Sequence, residues 1–194
     1  MPFPVQRSQR IILPILTILG TAIFGITLGI YAFNKSTPQT NTGEDTDLSL
    51  QGPISQYRPE FTLPDITGAP RHIREWDNQV VIVNFWATWC EPCRREIPVF
   101  IQLQASRSYP GLQFIGIAID DKSAVEDYID NLDTPVNYPM LVGNDDAITI
   151  SKKYGNAIGV LPYSVIIDRS GHIAYTKFGE FHRDDLEKQI QPLL

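Results

Sequence analysis

Cysteine and histidine are scarce in this chain of 194 residues, which contains only two cysteines and three histidines. Both cysteines belong to one C-x-x-C motif, Cys90 and Cys93, so no second cysteine pair is left to complete a zinc site. None of the histidines is paired at the spacing of a zinc finger. Haem attachment would need a histidine directly after the motif, where Arg94 stands instead. These absences argue against both zinc and haem at the motif.

Charged side chains are absent from residues 11–33. At about 1.5 Å of rise per residue, a helix of this length can cross a hydrocarbon core of roughly 30 Å. The apolar core of a cleavable signal peptide is shorter, usually about 7 to 15 residues. We therefore predict an uncleaved transmembrane anchor over residues 11–33.

Acidic side chains are absent from the first 35 residues, whereas Arg7 and Arg10 precede the predicted anchor. Because basic flanks stay in the cytoplasm, residues 1–10 are predicted to be cytoplasmic and the chain after the anchor to lie outside. Three of the 16 basic side chains fall in these 35 residues. The rest of the chain therefore carries 13 basic and 22 acidic side chains, a formal charge of −9. This acidic balance argues against a nucleic-acid partner.

The remaining chain divides into a tether and one domain. Residues 34–56 are predicted to form a flexible linker because they are rich in polar residues and glycine and lack apolar periodicity. Residues 57–194 alternate between strand-like and helical patterns, which predicts an α/β domain with a mixed sheet. The predicted strands are 61–63, 71–73, 80–86, 112–119, a short one around Met140, 163–168 and 173–178, and the predicted helices are 90–106, 123–132, 145–154 and 183–191.

The C-x-x-C motif lies where the predicted strand 80–86 leads into a helix. The unpaired N–H groups and the dipole of a helix N-terminus favour a thiolate, which is the nucleophilic form of cysteine. Pro92 fits the first helical turn, and Cys93 lies one turn deeper than Cys90 and is predicted to be less exposed. A purely structural bridge closing so small a loop would add little stability. The residues therefore favour a redox-active dithiol.

Residues 84–98, Asn-Phe-Trp-Ala-Thr-Trp-Cys-Glu-Pro-Cys-Arg-Arg-Glu-Ile-Pro, closely resemble the active-site segment of the TlpA/ResA/CcmG-like branch of the thioredoxin superfamily. Residues 61–65 resemble the N-terminal hairpin of that branch, and residues 159–162 resemble its cis-proline region. The resemblance covers about residues 61–194 and the N-terminal anchor. It implies a thioredoxin-like fold, with a central mixed β-sheet flanked by helices and an N-terminal β-hairpin extension.

The resemblance also implies roles for individual residues. Cys90 corresponds to the nucleophilic cysteine of the family and Cys93 to the resolving one. Pro162 corresponds to the cis-proline beside the dithiol, and the backbone of Leu161 is then expected to pair with an extended segment of a partner protein. Trp89 is expected to border the same docking surface. We therefore predict that Trp89, Leu161 and Pro162 bind the substrate.

The resemblance also indicates that the proton-transferring acid occupies a different position here than in thioredoxin. Thioredoxin carries a buried acid on the strand before the motif, whereas this chain has Asn84, which cannot titrate. Glu96 corresponds to an active-site glutamate of the ResA-like branch and lies three residues after Cys93. We predict that it exchanges a proton with Cys93, the alternative being a solvated helix charge. Glu91, between the two sulfurs, should disfavour the thiolate and make the couple more reducing.

The predicted function is thiol-disulfide exchange at the outer side of the inner (cytoplasmic) membrane, reducing protein disulfides without any cofactor beyond the cysteine pair. The resemblance suggests apocytochrome c as one substrate and a transmembrane thiol-reducing protein as electron donor. Two alternatives remain. One is a peroxiredoxin-like peroxidase, although Ala87 stands where the threonine of that signature is expected. The other is a metallochaperone that binds copper through Cys90, Cys93 and a histidine.

Overall fold

The computed structural model describes residues 56–194. The strands are β1 (Gln56–Tyr57), β2 (Thr62–Pro64), β3 (Pro70–His72), β4 (Val80–Trp86), β5 (Leu112–Ala118), β6 (Met140–Val142), β7 (Tyr163–Ile167) and β8 (His172–Phe178). The helices are α1 (Glu91–Ala105), α2 (Lys122–Asp130), α3 (Asn144–Lys153) and α4 (Arg183–Ile190), with 3-10 helices at Ile73–Trp76 and Gln191–Leu193.

The predicted anchor, residues 11–33, and the predicted linker up to residue 55 lie outside the described residues. Within residues 56–194, no helix has both the length and the apolar character needed to cross a membrane. The anchor therefore remains a prediction from the sequence.

Six strands form one mixed sheet in the order β1-β8-β7-β4-β5-β6. Strands β4, β5 and β6 are parallel, whereas β7 runs antiparallel to β4, β8 to β7 and β1 to β8. The prediction of a central mixed sheet flanked by helices is confirmed. Strand β1 was not predicted, and it adds Gln56–Tyr57 to the edge beside β8.

Strand β4 lies at the centre of the sheet, and all seven of its residues are buried. A nearly continuous run of apolar β-formers, interrupted in β4 by Asn84, is typical of a strand covered on both faces. Val80, Ile82 and Trp86 belong to one core with side chains of α1, α2 and α4. Val81, Val83 and Phe85 belong to a second core with side chains of β2 and α3. This packing fixes the strand that leads into the C-x-x-C motif.

The predicted N-terminal hairpin is present as β2 and β3, which pair antiparallel. Asp65 organises its turn, because one carboxylate oxygen accepts hydrogen bonds from the Thr67 N–H, the Thr67 hydroxyl and the Ala69 N–H. A backbone bridge between Asp65 and Leu141 joins this turn to β6. The hairpin is thereby attached to the far edge of the main sheet.

The helices and strands differ from their predicted bounds by one or two residues at most of their ends. Helix α2, predicted to run to residue 132, ends at Asp130. Asn131 follows it, and its side-chain amide donates a 2.7 Å hydrogen bond to the Asp127 carbonyl. That bond satisfies a carbonyl that would otherwise accept a backbone N–H of the next helical turn. It therefore favours the end of α2 at this point.

Candidate active site

The two cysteines form a disulfide at the N-terminus of α1, with their Cα atoms 5.3 Å apart. Cys90 is the N-cap residue, and its sulfur accepts a hydrogen bond from the Cys93 N–H at 3.4 Å. Pro92 occupies the first turn, where its missing N–H interrupts no helical bond. The helix therefore directs an N–H group toward the sulfur that must become negative on reduction.

The two sulfurs differ in burial, and this difference decides which of them a partner can reach. Cys93 is fully buried, whereas Cys90 retains 5% of its surface exposure. Trp89, directly before Cys90, is 70% exposed. An approaching partner therefore contacts Trp89 and Cys90 before it can reach Cys93. This arrangement agrees with the predicted attack by Cys90 and resolution by Cys93, which remain predictions.

The loop between β4 and α1 is held by a carboxylate that follows the neighbouring parallel strand. One oxygen of Asp120 accepts hydrogen bonds from the Thr88 N–H at 2.9 Å and from the Thr88 hydroxyl at 2.6 Å. The sequence analysis did not identify this contact of Asp120. The available signal was its position directly after a predicted strand, because the carboxyl ends of parallel strands meet at one edge.

Glu96 is fully buried in α1. One carboxylate oxygen accepts a 2.6 Å hydrogen bond from the Asn84 amide, and the other accepts a 2.9 Å bond from the Phe181 N–H. Burial raises the pKa of Glu96 to about 8, although these two hydrogen bonds oppose the rise. The alternative of a solvated helix charge is therefore wrong. A carboxyl that titrates near neutral pH is suited to proton transfer.

Asn84 takes part in a buried network that sequence reasoning did not find. Its amide also donates a 3.0 Å hydrogen bond to the Ser164 hydroxyl on β7. The sequence identified Asn84 only as a residue that cannot titrate. The available signal was an amide inside an apolar strand, because buried polar side chains are nearly always hydrogen-bonded. Its partners are distant in sequence and could not be named from spacing.

The Leu161–Pro162 peptide bond is cis, as the resemblance implied. Pro162 is buried and Leu161 is half-buried. Leu161 and Trp89 both line a cavity of about 220 Å³, which we call the apolar pocket. Its lining also includes Ile119, Ile148, Asn156 and Gly159. The structure thus brings Trp89 and Leu161 to one surface, whereas Pro162, which follows Leu161, is buried and does not line the pocket.

Glu91 is 84% exposed at the start of α1 and does not stand alone. Arg95 forms an ion pair with Glu91 at 3.3 Å and a second one with Glu180 at 2.8 Å. The positive charge of Arg95 partly offsets the negative charge that Glu91 places beside the sulfurs. The predicted influence of Glu91 on the dithiol is therefore the balance of two opposing charges.

Within residues 56–194, no group of three or more histidine, cysteine, aspartate or glutamate side chains is arranged to hold a metal ion. The copper-binding alternative needs a third ligand beside Cys90 and Cys93. That part of the chain does not supply one.

Residues 54–176 match the AhpC/TSA family. The thiol-disulfide oxidoreductase ResA of Geobacillus kaustophilus (strain HTA426) is 23% identical over 192 residues, covering 97% of this chain and 99% of the relative. ResA of Bacillus anthracis is 29% identical over 143 residues, covering 72% of this chain and 79% of the relative. A crystal structure of a thiol:disulfide interchange protein of the thioredoxin family from Chlorobium tepidum TLS superposes with a TM-score of 0.64 and 28% identity, covering 73% of this chain and 98% of that one. The chain therefore belongs to the AhpC/TSA family, as a thioredoxin-like thiol-disulfide oxidoreductase.

Proposed function

We propose that this protein reduces disulfide bonds of protein substrates outside the cytoplasm. One observation carries the proposal. Cys90 caps α1 at the surface and accepts the Cys93 N–H, while Cys93 is fully buried behind it. A substrate disulfide can therefore reach only the sulfur that the helix terminus stabilises as a thiolate.

The reaction proceeds in two exchange steps. The Cys90 thiolate attacks one sulfur of the substrate disulfide, whose S–S bond breaks and releases a thiolate that takes a proton from water. A mixed disulfide between Cys90 and the substrate remains. The Cys93 thiolate then attacks the Cys90 sulfur, which breaks the mixed disulfide, forms the Cys90–Cys93 disulfide and releases the second substrate sulfur as a thiolate that takes a proton from water. Two electrons pass from the dithiol to the substrate.

Glu96 is the proposed acceptor of the Cys93 proton in the second step. It lies three residues after Cys93 in α1, on the buried side of the helix. Its pKa of about 8 means that a fraction of the carboxyl is ionised near neutral pH and can act as a base. The same carboxyl returns the proton when the disulfide is reduced again.

The cycle closes when a transmembrane thiol-reducing protein returns two electrons to the Cys90–Cys93 disulfide. We propose no further cofactor, because the disulfide is itself the redox group. Glu91 supports the reducing direction, since a negative charge beside Cys90 makes the thiolate less stable and the dithiol a better electron donor. Apocytochrome c, before haem attachment, is the proposed substrate on the basis of the family resemblance.

The proposed location is the inner membrane, with a single anchor at residues 11–33, residues 1–10 in the cytoplasm and the catalytic domain outside. The uncharged run and the basic residues before it support this orientation. The alignment with ResA of Geobacillus kaustophilus covers 97% of the chain and so includes nearly all of the run. Residues 34–55 would then separate the domain from the membrane, because Gln56 already belongs to strand β1.

Trapping in cells tests the proposal. A full-length Cys93→Ala variant cannot resolve the mixed disulfide, so substrates should remain attached to Cys90 and be identifiable after purification. The control replaces both Cys90 and Cys93 with alanine and should trap nothing. Apocytochrome c among the trapped proteins is the expected result. The same trapped set in variant and control would contradict the proposal.

A second measurement separates reductase from peroxidase activity. Ala87 is fully buried three residues before Cys90 and offers no hydroxyl to a bound peroxide. The reduced protein should therefore consume hydrogen peroxide much more slowly than it reduces a protein disulfide. Faster reaction with peroxide would favour the peroxidase alternative and overturn the reductase proposal.

A further inference from the structure

Asn156 is a fully buried polar residue just after α3. Its side-chain amide donates hydrogen bonds to the Ser151 hydroxyl and to the Val160 carbonyl, both at 2.9 Å. Its side-chain oxygen accepts the Val160 N–H at 3.0 Å. Both amide protons and the oxygen are therefore used, and Val160 is held through its N–H and its carbonyl together.

The segment that Asn156 holds leads directly into the cis-proline, and we call residues 157–161 the docking loop. Ile158 is 70% exposed and Val160 is 39% exposed, although both are large apolar side chains. Gly159 has a φ of 69°, a backbone conformation that favours glycine. The loop thus presents apolar side chains to the solvent, while the buried side chain of Asn156 holds its backbone in place.

The docking loop forms part of the apolar pocket, which Gly159 and Leu161 line together with Trp89. Exposed apolar side chains next to a pocket mark an interaction surface. The N–H and the carbonyl of Val160 are already hydrogen-bonded to Asn156. The backbone groups of the neighbouring Leu161 are therefore the ones that we expect to pair with a partner strand. The pocket beside Leu161 is then available to an apolar side chain of that strand.

We propose that Asn156 is a positioning residue that holds the docking loop ready for an extended substrate segment with an apolar side chain beside its cysteine. This inference rests on the proposed reduction of protein disulfides. A loop that is already ordered loses less conformational entropy when the substrate binds, so affinity rises without new contacts. A small disulfide that reaches Cys90 without touching the loop gains nothing from this order.

The test uses Asn156→Asp in the full-length protein, because the change keeps the size of the side chain and removes both donors. The reduced protein is mixed with a short synthetic peptide that carries one disulfide with leucine beside each cysteine, and oxidation is followed in a single turnover. The half-saturating peptide concentration should rise about tenfold, which corresponds to about 1.4 kcal/mol. The limiting rate, the rate with bis(2-hydroxyethyl) disulfide and the midpoint potential should stay unchanged.

Two controls make the result specific. Asn137→Asp introduces the same charge at an exposed amide that bonds only the Ile101 carbonyl, and it should leave every value unchanged. A peptide with serine in place of leucine should bind the unaltered protein more weakly and should respond little to Asn156→Asp. Equal losses with the leucine peptide and the small disulfide would overturn the proposal, because they would indicate a general structural role.

If Asn156→Asp does not fold, Ser151→Ala keeps the proposal testable, since it removes one partner of the amide and leaves both bonds to Val160. It should raise the half-saturating concentration of the leucine peptide by about twofold to threefold. An unchanged value would overturn the proposal. If the unaltered protein reduces neither substrate, the proposed function itself fails.

Discussion

The side-chain amide of Asn84 donates a 2.6 Å hydrogen bond to the carboxylate of Glu96, which joins the central strand to the helix that carries the dithiol. Asn84 is 2% exposed and Glu96 is fully buried. The bond favours the ionised carboxylate, but burial has the larger effect and raises the pKa of Glu96 to about 8. A buried carboxyl beside Cys93 therefore changes charge close to neutral pH.

Replacing Glu96 with glutamine should remove the base that serves Cys93. In the unaltered protein, release of substrate from the mixed disulfide should accelerate as pH rises through about 8, because Glu96 becomes ionised. In Glu96→Gln this rise should disappear, and the rate should fall by roughly 10²-fold, a typical contribution of a general base. The measurement is stopped-flow release of a chromophoric thiol attached to Cys90.

Glu126→Gln is the matched control for the Glu96 experiment. Glu126 is a carboxylate of α2 whose side chain is 45% exposed and forms an ion pair with Lys122. Its pH profile should match that of the unaltered protein. Identical profiles for Glu96→Gln and the unaltered protein would rule out proton transfer by Glu96.

Stability should also depend on the protonation of Glu96. Its folded pKa of about 8 lies above the ordinary value of 4.5, so the folded state binds more protons than the unfolded state between these values. The contribution of Glu96 to the free energy of unfolding should therefore be greatest below about pH 4.5 and should be lost as pH rises to about 8.

Urea unfolding of the oxidised protein at several pH values checks this linkage. Asp65 and Asp168 have lowered pKa values and contribute stability in the opposite direction, which is lost as pH falls. The informative quantity is therefore the difference between the unaltered protein and Glu96→Gln. That difference should shift in favour of the variant as pH rises from about 4.5 to about 8. A difference independent of pH would contradict the assigned pKa.

Exchanging the acid and the amide should test how the pair stabilises the fold. Asn84→Asp alone places a second carboxyl within hydrogen-bonding distance of Glu96 and should destabilise the protein by roughly 2 kcal/mol. Combining Asn84→Asp with Glu96→Gln restores one amide and one carboxyl, and it should recover at least half of the loss. Denaturation midpoints of the three variants give the coupling energy, and simple additivity would contradict a direct interaction.

The sequence was sufficient to predict elements that depend on local patterns. The apolar run of β4, interrupted by Asn84 and followed by a proline in the first turn of α1, predicted both elements and the placement of Cys90 at their junction. Strand β1 was missed because it is only two residues long, polar and exposed. Its strand conformation depends on pairing with β8, which lies more than a hundred residues further along the chain.

The candidate site was predictable where the family motif covers it, and not where distant contacts build it. Cys90, Cys93 and the cis-proline at Pro162 lie inside segments that resemble the family. By contrast, the partners of Glu96 come from β4 and from the loop before α4, and nothing in their spacing indicates this. Asn156 was missed for a similar reason, because its side-chain contacts depend on the path of the docking loop.

The two charges at the start of α1 should shift the redox potential in opposite directions. Glu91→Gln removes a negative charge beside Cys90, so the thiolate of the reduced form becomes more stable and the couple more oxidising. Because Glu91 is 84% exposed and paired with Arg95, the change should be modest, roughly 5 to 20 mV. Arg95→Gln should shift the potential the other way, since it removes the compensating positive charge.

Equilibration with glutathione at fixed pH measures the redox potentials of both variants. The two shifts should shrink together at high salt because exposed charges are screened. If Glu91→Gln and Arg95→Gln shift the potential in the same direction, the charge of Glu91 does not control the redox potential of the dithiol.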